Sequence, residues 1–220
     1  MSGYLVKQEH VAIDGAPRLH MRSLLDHQQF SDPQGIAEAL GISSATWPLF
    51  GLLWPSGYRL AAAMASRPLR DGERILEVGC GLALASLVCH RRGANVSASD
   101  CHPLAGDFLR ENLSLNQLPP LPYVCGGWDN LANARLQGPF DLIIGSDVLY
   151  ERDERGVLAA FIQHHACVTG EVVIVDPNRG NRGPFHRHMR ALGYVLEETV
   201  IDEWLRGHDP YRGRMLHYRR

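Results

Sequence analysis

The chain has 220 residues, 45% of them apolar and 21% charged, with a formal net charge of −2. That size and apolar share support one full domain with a sizeable core and a short extension. The charge balance excludes a global positive field for general nucleic-acid binding, and no apolar run approaches the roughly 18 residues of a membrane-spanning helix. The first ten residues lack the apolar core of a secretory signal. Five scattered cysteines, with no C-x-x-C pair, point to a reducing, cytoplasmic setting.

Residues 1–45 read as an N-terminal extension. Two strand-like runs, Tyr4 to Ile13 and Leu19 to Leu25, flank Asp14-Gly-Ala-Pro17, whose turn chemistry predicts a β-hairpin. Ser31-Asp-Pro33 predicts a short helix ending near Gly41. The aromatic stretch Thr46 to Gly57 precedes a helix over 58–66, with Ser56 as its expected N-cap. Strands at 74–78, 95–99, 123–125, 140–145 and 171–175 then alternate with helices at 82–92, 103–116, 153–168 and 184–192. Such alternation implies a parallel sheet with helices on both faces. The last two strands, 194–201 and 214–219, have only a polar loop between them, so they are expected to pair antiparallel.

The informative stretch is Glu77-Val-Gly-Cys-Gly81, between the first parallel strand and its helix. Gly79 and Gly81 let a ligand approach the main chain at a helix N-terminus. The dinucleotide pattern G-x-G-x-x-G is broken by Leu84. Glu77 beside the turn suits a cationic group such as an ammonium; the alternative is a tight turn that binds nothing. Asp100, ending the second parallel strand, suits a ribose diol or else caps the next helix. Trp128 either covers an adenine face or packs under a loop, and Trp54 and Trp47 carry the same two readings. A cation over the Trp54 face would gain on the order of 1 kcal/mol. Ser146-Asp-Val-Leu-Tyr150 follows the fourth parallel strand at the ligand-binding edge. There Asp147 and Tyr150, within one turn of each other, could bind and orient an amine, or serve as a capping Asp and a half-buried Tyr. His164-His165 and His186-x-His188 have no acidic or thiol partner at ligand spacing, so no metal site is expected.

At these residues the chain resembles the class I S-adenosylmethionine-dependent methyltransferases. Glu-Val-Gly-Cys-Gly81 is similar to their first motif, and the reversed last strands to their C-terminal hairpin. More narrowly it is similar to the protein lysine methyltransferases of methyltransferase family 16, particularly the branch that modifies the electron-transfer flavoprotein β subunit. Leu53-Trp-Pro-Ser-Gly57, Asp147-x-x-Tyr150 and Asp176-Pro177 carry that likeness. The chain departs from the family in having Ala83 where a third glycine is usual, and Ser146 where a small apolar residue or glycine is frequent.

The resemblance implies an α/β Rossmann-like fold over residues 46–220, with a mostly parallel seven-stranded sheet and an antiparallel C-terminal hairpin. It implies methyl transfer from S-adenosylmethionine, leaving S-adenosylhomocysteine, to a lysine amine of a protein substrate. Trp54, Glu77, Gly79, Gly81, Asp100, Trp128 and Ser146 would serve the cofactor, and Asp147 and Tyr150 the amine. A small-molecule N- or O-methyltransferase and a non-catalytic cofactor-binding or scaffold protein are the other readings.

Overall fold

The computed structural model describes residues 3–129, 136–150, 153–203 and 210–220. Strands β1 (Val6–Ile13) and β2 (Ala16–Leu24) form an antiparallel hairpin. Only Asp14 and Gly15 make its turn, with Gly15 at φ 78°, so Ala16 and Pro17 already belong to the second strand. The expected leader helix shrinks to four residues, α1 (Ile36–Ala39), because Gly35 and Gly41 on either side take positive φ. A 3₁₀ turn, Trp47–Gly51, leads into α2 (Pro55–Ser66). This helix starts earlier than expected. Pro55 occupies its first position, where a missing N–H costs nothing. Ser56 is therefore not the N-cap; its buried hydroxyl pairs with the Tyr211 hydroxyl at 2.9 Å.

The large sheet contains β3 (Arg74–Val78), β4 (Asn95–Asp100), β5 (Tyr123–Cys125), β6 (Phe140–Ser146), β7 (Ala166–Asp176), β8 (Val195–Glu203) and β9 (Tyr211–Arg219). Its order is β5-β4-β3-β6-β7-β9-β8, parallel from β5 to β7 and antiparallel thereafter. The expected terminal hairpin is present; most of the loop joining it lies outside the described residues. The helices α3 (Leu84–Arg91), α4 (Ala105–Leu115), α5 (Val157–His165) and α6 (Arg182–Ala191) connect the strands. Helix α5 is shorter than its expected span of 153–168. Asp153 lies outside it and accepts hydrogen bonds from the N–H groups of Val157 and Leu158. Residues from Ala166 onward join β7 instead.

The central strands are apolar on both faces, as a doubly covered parallel sheet requires. Ile75, Leu142, Ile144, Val173 and Val175 pack with α2, α3 and α4. Leu76, Val78, Ile143, Val172 and Ile174 pack with α5 and α6. Trp47 belongs to the first of these cores. At 1% exposure it meets Tyr4, Phe30, Phe50 and His102, so the ligand-covering reading of that residue is overturned. Among the described residues no helix is long and apolar enough to cross a membrane.

Ala83, the N-cap of α3, is fully buried at φ 57° and ψ 39°. A Cβ in that left-handed region costs about 1–2 kcal/mol, and glycine gives back about 0.4–1 kcal/mol through the unfolded chain. Ala83→Gly is therefore expected to raise unfolding stability by up to about 1 kcal/mol, read from the urea midpoint.

Candidate active site

Strand order reverses direction at β3: the chain goes outward through β4 and β5, then returns to β6 on the other side. Ligands in open α/β sheets sit at the carboxyl ends of the strands beside such a switch point. A cavity of about 440 Å³ opens there. Its lining includes all nine residues singled out from the sequence: Trp54, Glu77, Gly79, Gly81, Asp100, Trp128, Ser146, Asp147 and Tyr150.

The glycine turn is shaped by what surrounds it. Gly79 has φ 56°, and a Cβ there would stand 2.8 Å from Val148 Cγ1. Gly81 has φ 51°, and its Cβ would stand 2.8 Å from the Phe50 carbonyl oxygen. Both positions exclude side chains by conformation and by contact, which keeps the backbone bare toward the cavity.

Two buried carboxylates brace this turn. Glu77 Oε2 accepts from the backbone N–H of Ser86 at 2.8 Å and from its hydroxyl, joining β3 to α3. Asp100 Oδ2 accepts from the Gly81 N–H at 2.8 Å, and Oδ1 from the His102 N–H at 2.8 Å. Burial is the leading influence on both. It pushes Glu77 up to about 7, against the pull of the Ser86 hydrogen bonds, and raises Asp100 as well.

The region expected to receive an amine is built differently from the sequence expectation. Asp147 and Tyr150 do not lie on a helical turn. Asp147 has φ 55°, held by its N–H donating to the Val175 carbonyl at 2.8 Å. Both side chains still reach the same cavity. Asp147 is also engaged by Arg179, which donates from Nε at 2.6 Å and from Nη2 at 2.8 Å. Arg179 lies 6.0 Å from the Trp54 ring, whose Nε1–H donates to the Leu49 carbonyl. Ser146 Oγ sits near the start of α2, 3.7 Å from where a Cβ on Gly57 would be.

Sequence reasoning missed Arg179 and His102. Arg179 follows Asp176-Pro-Asn in the loop after β7, and only the fold carries that loop back to β6. His102 stacks on Phe50 with ring centres 3.7 Å apart, and burial lowers it to about 4. Its Nδ1 accepts from the Leu104 N–H, which leaves the proton on Nε2, a buried donor with no protein partner among the described residues. The bare glycine turn and the two acids beside it fit a ligand with a cationic end.

A family model described as lysine methyltransferase matches residues 51–186. The electron transfer flavoprotein beta subunit lysine methyltransferase of Rattus norvegicus is 30% identical over 208 residues, 91% of this chain and 78% of that protein. Its counterpart in Xenopus laevis is 31% identical over 162 residues, 71% of this chain and 64% of that protein. This last match thus spans less than two thirds of the frog protein. Among solved structures, magnesium protoporphyrin IX methyltransferase from Synechocystis PCC 6803 with bound S-adenosylmethionine superposes with a TM-score of 0.56. It is 18% identical, and the match covers 74% of this chain and 77% of that one. At that identity the likeness shows the fold alone. The chain belongs to the lysine methyltransferase family, within the S-adenosylmethionine-dependent class.

Glu77 is the expected partner of the S-adenosylmethionine ammonium, a role that needs its ionised form. With Glu77 near 7, binding below that pH must first remove a proton. Affinity is therefore expected to fall as pH drops through about 7, approaching tenfold per unit. Calorimetry at pH 6 and 8, in buffers of different ionisation enthalpy, reads both the affinity and the released proton. Gly81→Ala should abolish cofactor binding in the same assay, since its Cβ would force the turn away from Phe50.

Proposed function

We propose that this protein transfers a methyl group from S-adenosylmethionine to a lysine side-chain amine of a protein substrate. The observation that carries this reading is the placement of the Asp147 carboxylate and Tyr150 in one cavity with the glycine turn, Glu77 and Asp100. The family match supports the choice of lysine, and the relatives named above support an electron-transfer flavoprotein β subunit as a first acceptor to try.

In this reading Glu77 and the Gly79–Gly81 backbone hold the methionine end of the cofactor. Asp100 takes the ribose, Trp128 lies beside adenine, and Trp54 and Ser146 close the wall toward α2. When bound, the cofactor supplies an activated methyl on a sulfonium sulfur. The chain's own work is placement: it aligns the amine with the methyl and excludes water. Asp147 and Tyr150 orient the amine.

We also read residues 1–45 as an extension of the methyltransferase domain at 46–220 that walls the same site. Leu40, Gly41 and Ile42 line the cavity, and Asn112 on α4 and Asn116 just past its end pair with the backbone of β2. A cytoplasmic location fits the scattered cysteines, of which Cys80 and Cys89 are buried thiols.

The decisive experiment supplies labelled S-adenosylmethionine with an electron-transfer flavoprotein β subunit and, separately, with a cell lysate. Label on lysine supports the reading. Label confined to small metabolites, or none with no cofactor binding by calorimetry, overturns it. Asn tolerates the backbone conformation at 147, so Asp147→Asn isolates the charge. It should lower methyl transfer by about 100-fold or more, a loss of about 2.7 kcal/mol of transition-state stabilisation. Cofactor affinity should stay within about threefold, since the other groups at that end are untouched.

A further inference from the structure

An amine site that contains only a carboxylate works against the chemistry. A free lysine is neutral in only about one molecule in a thousand at pH 7. A lone anion beside it stabilises the ammonium and makes the reactive form rarer still. The bidentate contact from Arg179 changes that balance, because the guanidinium brings a permanent positive charge to the same place.

We propose that Arg179 is a positioning residue that neutralises Asp147, so that the site orients a lysine nitrogen without trapping it as an ammonium ion. This rests on the lysine reading above.

The geometry supports sharing rather than blockage. Each carboxylate oxygen has two lone pairs, and Arg179 uses one on each oxygen. One lone pair per oxygen remains for an amine N–H. Arg179 is 42% exposed on its side chain while Asp147 is 11% exposed, so the arginine closes the solvent side of the acid.

The surrounding charges leave this pair in control of the site. From β7, Asp176 feels both members, and burial raises it toward its neutral form. It accepts from the Asn178 N–H at 2.9 Å, and this bond shapes the loop that presents Arg179. From β9, Tyr211 is pushed up to about 12 by burial and stays neutral. Arg182 from α6 acts on Asp176, and Arg59 from α2 acts on Tyr211. Across the cavity, Glu77 and Asp100 belong to the cofactor end, and Tyr150 stands at the mouth. Hydrogen bonding to Asp147 raises Arg179 further, so it remains charged throughout the working range.

The step is simple in its balance. The lysine ammonium gives one proton to solvent at the mouth. The amine lone pair then forms the nitrogen–carbon bond as the carbon–sulfur bond breaks, its electron pair staying on sulfur. The product leaves as a methylated ammonium.

The test uses the full chain and the acceptor protein labelled in the preceding experiment. The quantity read is the pH profile of kcat at saturating acceptor, which reports groups in the enzyme–substrate complex. In Arg179→Met the carboxylate is unopposed, the bound amine holds its proton more tightly, and the rise of kcat should move about one pH unit upward. At pH 7 this is about a tenfold loss, and it shrinks once the pH passes the pKa of the bound amine. Arg179→Lys, which restores the charge, should return the profile toward wild type. Arg179→Gln should behave as Arg179→Met does, as a second neutral variant should the first prove unstable. Cofactor affinity by calorimetry should stay within about threefold in all three. An unshifted profile, a faster reaction at pH 7, or a cofactor loss matching the activity loss would overturn the proposal. If wild type labels no lysine, the lysine reading falls first and this inference with it. If wild type labels lysine and the variants keep its profile, only this inference falls.

Discussion

The hydrogen bond from the Gly81 N–H to the Asp100 carboxylate, 2.8 Å long, is the contact on which the site depends. It ties the turn after β3 to the end of β4, beside a second link from the Cys80 N–H to the Ser99 carbonyl. It helps hold Gly79 and Gly81, one residue apart and both at positive φ, against Val148 and Phe50. The cost is a carboxylate at 8% exposure whose charged form is disfavoured by burial. Two backbone N–H groups offset part of that cost, and a ribose diol would offset more.

The same logic of buried acids runs across the cavity. Burial raises both acids, and the Asp100 charge adds to the rise of Glu77, so this end of the cavity resists carrying two full negative charges. A cationic ligand relieves that resistance, which links affinity to pH. At the other end Asp147 is already balanced by Arg179. On the proposed reading the two ends are tuned in opposite senses: one welcomes a positive charge, and the other would hold a nitrogen whose charge has to be removed.

The N-terminal extension is built into this arrangement rather than merely attached to it. Arg22 spans the Phe108 ring and pairs with Glu111 on α4, while Arg91 on α3 donates to the carbonyls of Pro17 and Arg18. The chain then returns through α1 to the cavity wall, and Trp47 and Phe50 lock the return against His102. Leu40, Gly41 and Ile42 of the extension thus reach the cavity wall beside Phe50, which stacks on His102 and limits Gly81.

Much of this was legible in the residues themselves. The periodicity of apolar runs located the large sheet's strands, because each central strand is buried on both faces and reads as a continuous apolar segment. The glycine turn, the two acids and the Asp147-x-x-Tyr150 pattern line one cavity, because α/β connections return every carboxyl strand end to one edge. The boundaries of α1, α2 and α5 were not legible. They depend on positive φ at Gly35 and Gly41, on Pro55 at a first helical position, and on side-chain caps that only exist once Asp153 is in place. Nor was the fate of Trp47 against Trp54 legible, since both sit in one aromatic stretch and only packing buries the first and turns the second toward the cavity. By itself, then, the sequence determined the class of sheet, the glycine turn and the acids beside it, all set by local pattern. Tertiary structure alone decided that Arg179, 32 residues beyond Asp147, meets it. An ion pair of that kind has no local signature: it forms because β6 and β7 are neighbours in the sheet and their carboxyl ends open on the same cavity.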